Sequence, residues 1–201
     1  MKAPAGTAGY GSRATELAAQ YESITFEAVH RDVIHLFPQH DADVLDIGAG
    51  SGRDAAALAA RGHRVVAVEP TLELRQEGKR LHPLPNLEWV DDHLPLLHVM
   101  RSSTRRFDLI LLTAVWMHLD EAERKAAMSA VAELVRAGGV IVMSLRHGPV
   151  PEGRRMFDVS ADDTIALGQQ DGLQEHHRST REDMLGRGDV TWSFLALKQE
   201  P

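Results

Sequence analysis

Asp46, Gly48, Gly50, Gly52 and Glu69 are the residues whose types and spacing point first to chemistry. They lie in Val44–Pro70, "VLDIGAGSGRDAAALAARGHRVVAVEP". Three glycines within five residues allow a tight turn and let backbone come close to a ligand with no side chain between. A helix starting after such a turn offers free N–H groups and a positive dipole end. A carboxylate at the end of the next strand, here Glu69, can accept both hydroxyls of a ribose. The stretch therefore reads as a nucleoside-binding half-site. Two features argue against a dinucleotide. Arg53 stands where G-x-G-x-x-G has its third glycine, and Asp46 and Asp54 would repel a pyrophosphate. An acid at Asp46 suits a cationic group such as an amino-acid ammonium. A nucleoside joined to an amino acid is S-adenosylmethionine.

The elements around this stretch set its context. "DVLDI" (Asp43–Ile47), "HRVVAVE" (His63–Glu69), "NLEWV" (Asn86–Val90), "RFDLILLTA" (Arg106–Ala114) and "VIVMSLR" (Val140–Arg146) read as strands. The fourth is the most apolar and should be central. Between them lie the alanine-rich helix closed by Gly62, the "TLELRQEGKRLH" helix, and a helix-poor segment to Ser103. A further helix is capped by Asp120 with Glu123 as capping-box partner; it should run to Arg136 and end on Gly138-Gly139. A helix over Ala161–Gln170 and the strands "LQEHHRS" and "DVTWSFLALKQ" follow, the latter as an antiparallel pair. Upstream, Ser12 should cap a helix to about Gln20. Phe26, Val29, Val33 and Phe37 predict one helix from Ile24 to Phe37, stopped by Pro38. Residues 1–11 read as disordered until docked. The expected fold is α/β: a single-domain, Rossmann-like doubly wound sheet of five parallel strands plus a C-terminal antiparallel hairpin. Residues 1–37 should form an N-terminal helical lid on the domain of residues 38–201.

The chain resembles the class I S-adenosylmethionine-dependent methyltransferases of the small-molecule type. The resemblance rests on "VLDIGAGSGR", Glu69, "LEWVDDHLP", "FDLILLTAVWMHL" and "RAGGVIVMSLRHGP", from Val44 to Pro149. It implies Gly48, Ala49, Gly50 and Gly52, with Asp46 and Arg53, around the methionine part of the cofactor. It implies Glu69 at the ribose, Tyr21 near the sulfonium, and Pro70 and Thr113 elsewhere on the cofactor. An acid after the third strand should meet the adenine amine. Asp91 and Asp92 compete for that place; the position before Leu94-Pro95 favours Asp92, with the His93 amide beside the ring. His118 lies where this family often carries a histidine by the cofactor. It and His147 are the candidate catalytic residues, His147 as general base. Tyr10, His30, Trp116, Met117, Arg146 and Arg155 are candidates for the acceptor side. Arg146, His147, Arg154 and Arg155 form a loop suited to an anionic or carbonyl-bearing acceptor.

Bulk properties narrow the partners. The chain has 201 residues, 43% hydrophobic, with a formal net charge of -7, which disfavours nucleic acid. It has no cysteine, so thiolate chemistry and disulfides are excluded. No apolar signal core opens the chain, and "LILLTAVWM" is too short to span a bilayer. The expectation is a cytoplasmic enzyme on a small-molecule acceptor, with no metal, nucleic acid or membrane partner. A non-catalytic cofactor-binding module and an NAD-dependent dehydrogenase are the alternatives. The absence of an N-P-P-Y-like tetrapeptide after the fourth strand lowers the odds of base or glutamine methylation. A "GSGRD" turn shared with tellurite-resistance methyltransferases keeps that acceptor class open.

Overall fold

The computed structural model describes residues 4–7 and 9–200. Part of the expectation for residues 1–11 therefore falls outside the described residues. Seven strands form one sheet in the order β3-β2-β1-β4-β5-β7-β6. They are β1 Asp43–Ile47, β2 Arg64–Val68, β3 Leu87–Val90, β4 Phe107–Thr113, β5 Val135–His147, β6 Leu173–Glu182 and β7 Thr191–Gln199. β1 to β5 run parallel, and β7 pairs antiparallel with both β5 and β6. This is the expected Rossmann-like sheet, five parallel strands with a C-terminal antiparallel pair.

β4 shows why the sheet is central to the core. Leu109, Ile110, Leu111 and Leu112 are all fully buried. Alternation sends Ile110 and Leu112 into one apolar cluster and Leu109 and Leu111 into the other, on opposite sheet faces. Helices α3 Arg53–Ala60, α4 Leu72–Leu81 and α6 Glu121–Leu134 connect the parallel strands, and α7 Ala161–Gln170 precedes β6. The Asp120–Glu123 capping box starts α6 as its sequence predicts. In α4, Gly78 is required by packing: a Cβ there would lie 2.2 Å from the Trp89 ring.

The first helix starts at Ala14 behind Arg13 with no side-chain cap, so Ser12 does not cap it as expected. Three further boundaries differ, each for a tertiary reason. The helix expected over Ile24–Phe37 is broken into α2 Phe26–His30 and a 3-10 turn at Ile34–Leu36. The Arg181 guanidinium on β6 donates to the carbonyls of Ala28 and Val29, the acceptors a continuing helix would use. α6 stops at Leu134, not Arg136, because Val135 already pairs with Phe107; the ladder then shifts before Leu109 meets Val140. The segment expected to be helix-poor holds a short helix, α5 His98–Ser102, whose Met100 N–H is held by Asp92.

The N-terminal part folds back over the strand ends. α1 Ala14–Glu22 lies against α4, and Glu22 accepts from Ser51 Oγ at 2.6 Å beside His82 at 3.1 Å. Among the described residues no helix is long and apolar enough to cross a membrane.

Candidate active site

The C-terminal ends of the parallel strands open into one cavity of about 520 Å³. A topological switch lies there, since β1 has β2 on one side and β4 on the other.

One end of the cavity is made by the glycine turn. The N–H groups of Gly48 and Ala49 both donate to Val68 O, at 2.7 and 3.0 Å, tying the turn to the end of β2. Gly48 has φ +71°, and a Cβ there would sit 2.6 Å from a Val115 methyl. The Tyr21 ring lies over Gly50, 3.2 Å from where a Cβ would be. Glu69 is 5% exposed and lines the same wall. Its two carboxylate oxygens accept from Gly50 N–H at 3.0 Å and Thr71 N–H at 2.8 Å. Burial raises its pKa against those hydrogen bonds. Each oxygen keeps a lone pair for a further donor. Pro70 and Thr113 also line the wall.

Asp46 stands behind the turn, 2% exposed, and its Oδ2 has no hydrogen-bond partner. Burial, then the nearby Asp54 charge, pushes its pKa well up. Asp54 behaves oppositely. Burial opposes its charge, but His30 Nε2 at 2.9 Å and Arg53 Nε at 2.6 Å outweigh that and hold it low. The turn therefore has one committed acid and one with an open oxygen.

The other end is built around His118. Its Nδ1 is 2.8 Å from Arg155 O. A carbonyl can only accept, so Nδ1 carries the proton and Nε2 carries the lone pair. Nε2 faces the Tyr10 hydroxyl at 3.3 Å. Burial lowers the His118 pKa, the bond to Arg155 O opposes this, and the charges of Arg154 and Arg155 lower it further. The ring is thus a neutral base with its free nitrogen toward the cavity. Arg155 fixes it from behind, donating to His118 O at 2.7 Å, to Glu123 at 2.7 Å and to Asp120 at 2.9 Å. The capping box of α6 therefore also seats the arginine that positions the histidine.

Most of the residues singled out in the sequence meet at this cavity, including Arg53, His93, Met117 and Arg146. Six stand apart from its wall. His30 is buried against Asp54, and Trp116 is wholly inside the core. His147 faces Ser193 Oγ at 2.8 Å. Asp91 pairs with Arg75 at 2.8 Å. Asp92, expected at the adenine amine, accepts from the N–H groups of His93 and Met100, both at 2.9 Å, away from the cavity wall. Gly52 packs under Trp89. The β6–β7 hairpin supplies wall residues that the sequence did not suggest: Arg181, Leu185, Arg187, Trp192 and Phe194. Their only signal was an antiparallel pair at the chain's end.

Comparison with known proteins bears on the fold and the domain. Residues 44–139 match a family described as "Methyltransferase domain". An uncharacterized methyltransferase of Alkaliphilus oremlandii is 29% identical over 100 residues, 50% of this chain and 44% of the relative. The chain spans about half the length of the curated relatives it matches. The fold is similar to a TehB-like SAM-dependent methyltransferase from Corynebacterium glutamicum (TM-score 0.68, 21% identity, 94% of this chain and 99% of that one). It is also similar to 1,6-didemethyltoxoflavin-N1-methyltransferase of Burkholderia thailandensis, whose structure holds 1,6-didemethyltoxoflavin and S-adenosylhomocysteine (TM-score 0.67, 19% identity, 100% and 94% covered).

Proposed function

We propose that this chain, whose residues 44–139 match a methyltransferase domain, transfers a methyl group from S-adenosylmethionine to a small-molecule acceptor. The observation that carries the reading is the pair of buried carboxylates flanking one glycine turn, with spare acceptor capacity on both. The unpartnered Oδ2 of Asp46 fits an ammonium, and the second lone pairs of Glu69 fit ribose hydroxyls. A pyrophosphate fits neither.

When bound, this cofactor supplies a methyl group on a positive sulfur; the C–S bond breaks to a neutral thioether as the acceptor's new bond to carbon forms. The protein must align the acceptor, exclude water and dispose of a proton. His118 Nε2 takes the acceptor's proton directly or through the Tyr10 hydroxyl and returns it to solvent. Tyr10 and Tyr21 line the cavity from the N-terminal side, so the described part of residues 1–37 acts as its lid. Pro4, Gly6, Thr7 and Tyr10 all line the cavity, whose volume of about 520 Å³ suits a small acceptor. The net charge of -7 disfavours nucleic acid as acceptor. The Burkholderia enzyme, with its small heterocycle bound, supports the same acceptor class. We place the reaction in the cytoplasm, as the bulk sequence properties suggest.

Isothermal titration with S-adenosylmethionine, S-adenosylhomocysteine and NAD tests the reading. Wild type should bind both adenosyl ligands, and Glu69→Gln should weaken both by about 1–3 kcal/mol. Binding of NAD alone, or of none of the three, would end it.

A further inference from the structure

Seven arginines line the cavity, and five have an acid partner among the described residues. Arg13 pairs with Glu16, Arg53 with Asp54, Arg155 with Asp120 and Glu123, Arg181 with Asp32, and Arg187 with Asp183. Arg146 and Arg154 have none.

Arg146 is withdrawn from water and Arg154 is half-buried. Arg146 is 8% exposed, and its Nε is buried with no hydrogen-bond partner. Its Nη1 reaches only the carbonyls of Pro149 at 2.9 Å and Gly148 at 3.4 Å. The Arg154 guanidinium lies over the Tyr10 ring, 3.9 Å from its centroid, and its Nη1 is likewise buried and unpaired. Nearby acids do not answer them. Asp183 is committed to Arg187 and to Trp192 Nε1, and Asp189 and Glu152 are exposed. A buried cation with no counter-charge is costly, and the cost is removed when a bound anion takes its free N–H groups. The same cavity has apolar lining: Met117, Met156, Leu185, Trp192 and Phe194.

We infer that the methyl acceptor is an organic anion, whose carboxylate is held by Arg146 and Arg154 while its apolar body lies on the methionine and aromatic wall. This rests on the methyltransferase reading and names the substrate class of the same site. The carboxylate is the handle and not the methylated atom, because two guanidinium groups draw electron density from the oxygens they bind. The nucleophile is a second group of the acceptor, facing His118.

The test uses full-length protein saturated with S-adenosylhomocysteine and titrated with 3-phenylpropanoate, its neutral amide, and inorganic phosphate. The carboxylate should bind at least about 10-fold more tightly than the amide or phosphate. Arg146→Met and Arg154→Met should each weaken it about 10- to 100-fold and leave S-adenosylmethionine affinity unchanged. Arg146→Lys and Arg154→Lys should retain part of the affinity, which separates lost charge from a damaged fold. Equal binding of carboxylate and amide, or binding of neither, overturns the inference. Phosphate binding as tightly as the carboxylate overturns the organic body. Loss of cofactor affinity in the Met variants assigns the arginines to the cofactor's own carboxylate and also overturns it. Failure of the wild type to bind S-adenosylhomocysteine would instead sink the cofactor reading.

Discussion

The two ends of the cavity are built in different ways. At the glycine turn the decisive contacts are short in sequence. Glu69 meets Gly50, 19 residues away, and Thr71, two residues away. Adjacent parallel strands and one tight turn place Asp46, Gly50 and Glu69, to which the N-terminal segment adds Tyr21 and His30. At the His118 end the contacts are long. Tyr10 reaches His118 across 108 residues, and Arg155 reaches it across 37. The first end is a property of one βαβ unit; the second exists only once the N-terminal segment, the start of α6 and the loop after β5 have all docked. The same strand-end geometry can thus keep one cofactor half-site while the acceptor end varies with its loops.

This contrast can be broken by substitution. His118→Gln should lower kcat by roughly 10²–10⁴ if its Nε2 is the base. Cofactor affinity, measured by titration, should stay unchanged; a shared loss would mean that the two ends are not separable. Gly48→Ala should do the reverse. It places a Cβ against Val115 at positive φ and should cost about 1–3 kcal/mol, read as weaker cofactor binding and a lower unfolding midpoint. Asp120→Ala removes both the α6 cap and a partner of Arg155. It should cost about 1 kcal/mol in a urea titration, and turnover should fall while cofactor affinity holds.

The smallest effect is the pH dependence of stability. The His118 pKa in the fold lies below its ordinary 6.5, so protonation opposes folding. Its contribution is full above 6.5 and is lost as pH falls through the lowered value. His118→Gln should flatten the acid side of a stability profile. An unchanged profile would show that the ring is not held neutral by the fold.

The legibility of the molecule follows the same division. Gly48, Gly50, Glu69 and Asp46 could be read because their roles depend on order and spacing within one unit. The Asp120–Glu123 box could be read because a cap is local. His147 and Asp92 look equally chemical in the sequence, yet Ser193 and the Met100 amide engage them away from the cavity wall. Nothing in their neighbouring residues announces those partners. Arg181 likewise breaks a helix about 150 residues upstream, where periodicity alone predicts continuity.

The sequence by itself determined the alternation of strands and helices, the turn at the end of β1 and the acid at the end of β2. Backbone conformation and strand burial depend on nearby residues, so local pattern suffices for them. Only the tertiary structure decided which nitrogen of His118 is free, which arginines have acids, and which wall the hairpin completes. Those are questions of partnership between distant groups, and partnership depends on distance in space, which the spacing of residues along the chain does not set.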